Sequence, residues 1–245
     1  MAEVKICSYL LALMLGFTTT VASAQQTYMP VLLNLSTLLD FNPVKGHVKT
    51  IDSVGTDDKG NEVYTLRVVL SAEGCVQTLR HDGKSDNSHM NLVNEGKALK
   101  GTFNGQPVAF GLDDKCNLTS RDDSNGHLDY KTNAQGLLGE TMLRTLKITD
   151  YFYDTDGNIK KVQYYSGDLV ASSTSIHYPD SVNKPLDYTL VNESALNARF
   201  NFTAVSECRY DERQVPVLCH LNVTPASSSG DVMTHMTVAT RASFY

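Results

Sequence analysis

The stretch Cys208-Arg209-Tyr210-Asp211-Glu212-Arg213-Gln214-Val215-Pro216-Val217-Leu218-Cys219 decides the fold. From Val215 onward the chain alternates, with Val215, Val217, Cys219, Leu221 and Val223 on one face. Before the turn, Phe200, Phe202, Ala204, Cys208 and Tyr210 share the parity of a second apolar face. Successive strand side chains point to opposite faces, so both cysteines belong to the buried side of neighbouring strands. A turn around Arg213 sets them opposite one another. Cys208–Cys219 therefore reads as a cross-strand bridge. Cys75–Cys116 follows by elimination, although four cysteines permit three pairings. Closing a loop of about a dozen residues is worth on the order of 3 kcal/mol in the chain-entropy model. The competing reading, a four-thiol zinc site, wants close C-x-x-C pairs that these spacings lack.

The same alternation recurs upstream. Tyr64, Leu66, Val68 and Leu70 interleave with Thr65, Arg67 and Val69, as in a half-buried strand. Ala98 to Phe103 and Gln106 to Gly111 flank Asn104-Gly105, a strong hairpin signal because both residues tolerate positive φ. Leu146, Ile148 and Phe152 alternate with Lys147, Thr149 and Tyr151, and Val232, Thr234, Met236 and Val238 close the pattern. Leu32 to Phe41, and more weakly Val191 to Ala198, suit a helical turn or two. Ser172 to Pro185 reads as an irregular connection and Pro225 to Gly230 as a flexible loop. A degenerate repeat of polar turns precedes several strands: Thr56 to Asn61, Tyr130 to Gly136, Tyr153 to Asn158 and Tyr210 to Gln214. In such turns Asp accepts from the backbone two residues on, and Gly supplies the left-handed conformation. The expected fold is all-β, an antiparallel meander of hairpins with two disulfides and little helix.

The N-terminus sets the compartment. Lys5 precedes an apolar run from Leu10 to Phe17 that ends in Ala22-Ser23-Ala24. This pattern describes a secretory signal cleaved between Ala24 and Gln25, leaving residues 25–245 as a single β-rich domain. An uncleaved anchor is the alternative, but a spanning helix needs about 20 apolar residues. Export allows Cys75, Cys116, Cys208 and Cys219 to oxidise. Cys7 lies before the apolar run, where it cannot accept lipid, so a lipid anchor is not expected. No later segment is long and apolar enough for a transmembrane helix. Losing Glu3 and Lys5 together leaves the net charge at −6, which gives no electrostatic attraction to nucleic acid.

Several islands resemble the YnfC-like family of enterobacterial envelope lipoproteins. They are Leu39-Asp40-Phe41-Asn42-Pro43-Val44-Lys45-Gly46-His47-Val48-Lys49, Ser71-Ala72-Glu73-Gly74-Cys75 and Lys115-Cys116-Asn117-Leu118. Further along come Leu186-Asp187-Tyr188-Thr189, Cys208 to Asp211 and Val217 to Leu221. The resemblance covers most of residues 25–245 and implies two disulfides at corresponding places, an envelope location and no established activity. The chain departs from the family in lacking a lipid-acceptor cysteine after the signal, so a soluble periplasmic protein is expected, with a membrane-anchored one as the alternative.

Chemistry is sparsely signalled. There is no G-x-S-x-G elbow and no H-E-x-x-H. His81 and His89, with Asp82 and Asp86, could offer metal ligands, but a solvated loop explains them. His47, His127, His177 and His235 stand alone, and His220, opposite in parity to Cys219, should face solvent or a second layer. Asp154, Asp156 and Asn158 could bind calcium, yet Gly157 comes too early for an EF-hand loop; Asp57-Asp58 and Asp122-Asp123 are similar. Turn chemistry accounts for all three. The acidic turns could also pair carboxylates for hydrolysis. Tyr151, Tyr153, Tyr164, Tyr165, Tyr188 and Tyr210 could form a ligand-facing stripe, or simply pack across strands. The expectation is therefore a non-catalytic envelope binding or interaction protein with an unknown envelope partner, no catalytic residues, no metal and no cofactor. A periplasmic hydrolase of an envelope polymer is the alternative, and a chiefly structural protein a third reading.

Overall fold

A computed structural model describes residues 27–85, 87–226 and 234–245. After the helix α1 (Pro30–Leu39), the chain forms β1 (Val48–Asp57), β2 (Glu62–Leu70), β3 (Val76–Gly83), β4 (His89–Asn94), β5 (Ala98–Phe103), β6 (Gln106–Leu112), β7 (Leu118–Asp123) and β8 (Gly126–Thr132). It continues through β9 (Leu138–Leu143), β10 (Leu146–Tyr153), β11 (Ile159–Ser166), β12 (Leu169–His177), β13 (Tyr188–Ser194), β14 (Phe202–Tyr210), β15 (Pro216–Pro225) and β16 (Thr234–Phe244). Each strand pairs antiparallel with the next, and β1 pairs with β16, so the meander closes into a sixteen-stranded barrel without edges. Closure matches Ile51 with Ala242 and Ser53 with Thr240, whose buried hydroxyls lie 3.0 Å apart.

The wall is mainly apolar inside, apart from groups such as His81 and the Arg121–Asp123 pair at 2.6 Å, and charged outside. On β2, Leu66, Val68 and Leu70 are buried while Arg67 reaches Asp52 of β1 on the outer face at 2.9 Å. Lys131–Glu140 and Lys147–Asp150 continue this outer layer at 2.8 and 3.0 Å. Exposed pairs of this kind contribute only about 0–1 kcal/mol each. They show which face meets water.

The turns repeat one hydrogen-bond design. Asp57 Oδ1 accepts from the Lys59 and Asn61 amides, Asp154 Oδ1 from Asp156 and Asn158, and Asp211 Oδ1 from Arg213 and Val215. Asn133 does the same for Gln135 and Leu137. Asp113, outside the sequence repeat as first read, accepts from Lys115 and Asn117. The left-handed position is Gly60, Gly136 or Gly157 in some turns, but Cys116 and Gln214 in others, at φ 63° and 60°. That substitution explains why the repeat looks degenerate.

Both disulfides form as expected. Cys208 lies directly opposite Cys219, and Cys75–Cys116 joins the β2–β3 turn to the β6–β7 turn. Four other expectations change. Val191 belongs to β13, not to a helix, because its backbone is paired on both sides, with Ser175 and Thr203. Ser172 to His177 lies in β12: a barrel wall accepts a Ser- and Thr-rich strand because its backbone pairs with β13 throughout and with β11 over Ser172 to Ser175. Phe200 leaves the β14 pattern, ends a short 3-10 turn and is 65% exposed. A register shift between Lys147 and Thr149 turns Thr149, Tyr151 and Tyr153 inward and leaves Phe152 exposed. Ala24, Gln25, Asp86, Val232 and most of the Pro225 to Gly230 loop lie outside the described residues.

Residues 28–46 form a plug. Pro30 sits at the first helical turn, where its missing N–H costs nothing, and α1 descends into the barrel until Asp40 adopts a left-handed cap at φ 53°. The chain then returns alongside, and Tyr28 bridges to Lys45. Val31, Leu32 and Leu35 pack against Ile51, Leu79, Leu99, Phe110 and Leu138, filling the half of the barrel built from β1 to β9. Buried Asn34 locks the plug: its amide donates to Gly136 O at 2.8 Å and accepts from the Leu138 amide at 3.0 Å.

Candidate functional site

The other face of α1 defines a cavity. Leu33, Ser36, Thr37 and Asp40 recur at i, i+3, i+4 and i+7, so they form one stripe. That stripe faces the inner surfaces of β10 to β15 across a space of about 620 Å³. Small-molecule sites span roughly 300–1,000 Å³. Tyr28, Tyr151, Tyr164, Tyr178 and Tyr188 contribute rings, and Val162, Ile176, Leu190, Phe202, Leu221 and Val223 contribute aliphatic and aromatic surface. Tyr178 meets Tyr188 edge to face at 6.0 Å.

The polar side chains of this wall are largely engaged with their own framework. Ser36 and Thr37 hydroxyls both donate to Leu33 O at 2.8 Å. Thr174 donates to Asn192 Oδ1 at 2.8 Å, Tyr178 to Ile159 O at 3.0 Å, and Asn158 to the Asp154 carboxylate. Asp40 differs. Among the described residues its carboxylate makes no hydrogen bond or ion pair, and no Lys, Arg, His or Glu shares the cavity lining. Its side chain is accessible from the space it lines, yet the surrounding protein desolvates it and pushes its carboxyl above the ordinary range. Its charge also helps to raise the phenols of Tyr64, Tyr164 and Tyr188, for each of which burial is the larger cause.

Lys45, the plug's buried cation, is held elsewhere. Its Nζ lies 5.3 Å over the Tyr28 ring, and burial lowers its pKa against the opposing pull of Asp156 and Asp154.

Of the tyrosines singled out from sequence, Tyr151, Tyr164 and Tyr188 line the cavity. Tyr165 lies outside and donates to Asp150 at 2.8 Å. Tyr210 donates to Asp187 and accepts from the Leu186 amide, and Tyr153 is inward but its hydroxyl lacks a partner among the described residues. Tyr28 and Tyr178 escaped the sequence reading, as did Asp40 in any functional role. The stripe at positions 33, 36, 37 and 40 was the signal that could have found them.

Most of the histidines and acidic turns lie apart, although His47, Glu73, Asp113 and Asp114 line one space of about 770 Å³ beside the β2–β3 and β6–β7 turns. His81 stacks inward on Tyr64 at 5.6 Å, whereas His89 on the outer face reaches Asp82 at 3.1 Å. His127 bridges Asp122 and Asp129, which raise its pKa in that order. His47 contacts Ala72 O, His220 Thr237, and His235 Asn222; His177 is exposed. Among the described residues no group of three His, Cys, Asp or Glu side chains could hold a metal. The Asp57, Asp113 and Asp154 carboxylates are occupied by the amides of their own turns.

Comparison with known proteins agrees with the sequence islands. Proteins named UPF0257 lipoprotein YnfC from Salmonella dublin and Salmonella typhi are each 25% identical over 220 residues, covering 90% of both chains. Among solved structures, a porin-like protein from Bacteroides uniformis covers 80% of this chain and 96% of its own, at 11% identity and a TM-score of 0.45. The model of the uncharacterised protein family UPF0257 matches residues 3–245, and the chain belongs to that family.

Proposed function

We propose that this protein is a non-catalytic envelope binding protein that holds a mainly apolar small molecule between its plug and strands β10 to β15. One observation carries the reading: a tyrosine- and aliphatic-lined space of about 620 Å³ inside a barrel whose other half is filled mainly by the apolar face of the plug. A hydrolase with paired carboxylates would need two carboxyl groups about 5–9.5 Å apart around one space. Among the described residues, Asp40 is the only carboxylate that lines this cavity.

The wall supports a water-facing barrel. A membrane-embedded barrel presents an outward apolar band about 25 Å tall. Here Arg67, Asp52, Lys131, Glu140, Lys147 and Asp150 occupy that face. No helix among the described residues is long and apolar enough to cross a membrane. The relatives are named lipoproteins, so a tether to the envelope membrane is compatible with this barrel. Our reading is export to the periplasm with a mature start at Gln25, which mass spectrometry of the exported protein tests directly.

The binding test uses the neutral apolar fluorophore N-phenyl-1-naphthylamine. Saturable binding is expected, weakened by Ala204→Leu, which fills the cavity, and unchanged by Ala239→Leu on the outer face. Absence of saturable binding, or equal binding by both variants, would overturn the proposal.

A further inference from the structure

Asp40 breaks three local rules at once. It is an acid at the C-terminal end of a helix, where the backbone dipole already concentrates negative charge and cations are favoured. It takes a left-handed cap that Gly or Asn fills more readily. It also faces a mostly apolar chamber without a counter-ion among the described residues. Three local preferences broken together at one residue point to a functional role there.

The surroundings say what would compensate the charge. Asp40 stands at the C-terminal end of α1, where the helix dipole is negative, and it shares one volume with Tyr164 and Tyr188. Aromatic faces attract ammonium groups, and the attraction grows when the cation is desolvated. Beyond this cluster the wall is apolar, with Leu190, Phe202 and Val223 running toward the β13–β14 end. Resting on the binding role proposed above, we infer that the ligand is a cationic amphiphile, with an amine or quaternary ammonium head on Asp40 and an apolar body along β13 to β15. An anionic lipid or a fatty acid would place like charges together and is disfavoured by the same geometry.

Calorimetric titration with decyltrimethylammonium, decanol and decanoate, all below micelle-forming concentration, tests this. Decyltrimethylammonium should bind the wild type about tenfold or more tighter than decanol, and decanoate more weakly than either. Asp40→Asn should remove the preference for the cation while decanol binding persists. Asp40→Glu should keep it, and Asp58→Asn, an equal charge loss at an exposed turn, should leave it intact. Equal affinity of the wild type for cation and alcohol, or a cation preference that survives Asp40→Asn, would refute the cationic head while leaving lumenal binding in place. Failure of all three to bind would overturn both readings. The wild-type series decides the matter even if Asp40→Asn fails to fold.

Discussion

Asn34 should be worth a large fraction of the stability of this protein, and Asn34→Ala measures it. The side chain is fully buried and makes two long-range bonds, to residues 102 and 104 positions away in sequence. Truncation strands both partners unequally. Leu138 is fully buried, so its N–H would lose its acceptor without reaching water; that costs about 1–3 kcal/mol. Gly136 is only half-buried and can recruit water, so the loss there is nearer the net value of one hydrogen bond, about 0.5–1.5 kcal/mol. Together the substitution should cost about 2–4 kcal/mol, against a total of about 5–15 kcal/mol for an ordinary domain. Asn34→Asp keeps the acceptor for Leu138 but loses the donor to Gly136 and buries a charge, so it should be at least as damaging. Urea denaturation followed by circular dichroism and by tyrosine fluorescence gives the number. If the plug undocks before the wall unfolds, the two signals will separate. A loss below about 0.5 kcal/mol with coincident transitions would mean that the amide does not anchor the plug, and the cavity wall would need another explanation.

Three further predictions follow from the same geometry. The Cys75–Cys116 bridge spans 41 residues and Cys208–Cys219 spans 11. Replacing each pair by serine should therefore cost about 4 and about 3 kcal/mol respectively in the chain-entropy model, and a reversed order in denaturation midpoints would count against that account. Asp40 has its carboxyl raised by burial, so its folded form holds a proton more tightly than its unfolded form. Stability from this group is greatest below the unfolded value near 3.9 and falls as pH rises through the folded value; Asp40→Asn should thus be more stable than wild type at neutral pH, with the gap closing in acid. Burial raises the phenols of Tyr64, Tyr130, Tyr153 and Tyr178 well above the usual range and Tyr188 to about 12. Absorbance titration should show them ionising only as the barrel unfolds in alkali, and a smooth titration of all tyrosines near pH 10 would contradict the lumenal placement.

Strand content and the cysteine pairing were legible because both depend on short-range alternation. Phe202 to Tyr210 and Val215 to Val223 carry a period of two, and a two-residue period survives whatever the distant topology does. The inward turn of Tyr151 and Tyr153 was not legible, because one register shift after Lys147 exchanges the two faces of the strand. Nor was the pairing of Val191, a residue whose neighbours Ser175 and Thr203 are polar and remote. Closure of β1 on β16 joins positions such as Ser53 and Thr240, which no local pattern connects. Asp40 was visible only as part of a family-like island. Its meaning depends on what lies across the lumen.

The strand number explains why there is a cavity at all. Sixteen strands spaced about 4.8 Å apart and tilted by about 40° close, as a circular wall, at a radius of roughly 16 Å. Packed sheets lie about 10 Å apart, so inward side chains from each wall occupy about 5 Å, and a core roughly 20 Å across remains to be filled. A helix with its side chains is only about 10–12 Å wide. One ten-residue helix therefore cannot fill the barrel, and it must either sit centrally with gaps all round or pack against one side. Val31, Leu32 and Leu35 commit it to β1 to β9, and the larger residual space, about 620 Å³ against about 260 Å³ among β2 to β7, lies against β10 to β15. A second apolar segment in the plug could have sealed that space. The chain instead turns back at Asp40 and presents Ser36, Thr37 and a carboxylate to it. Such a choice costs stability in the empty protein, and binding a ligand in that space is what would offset it.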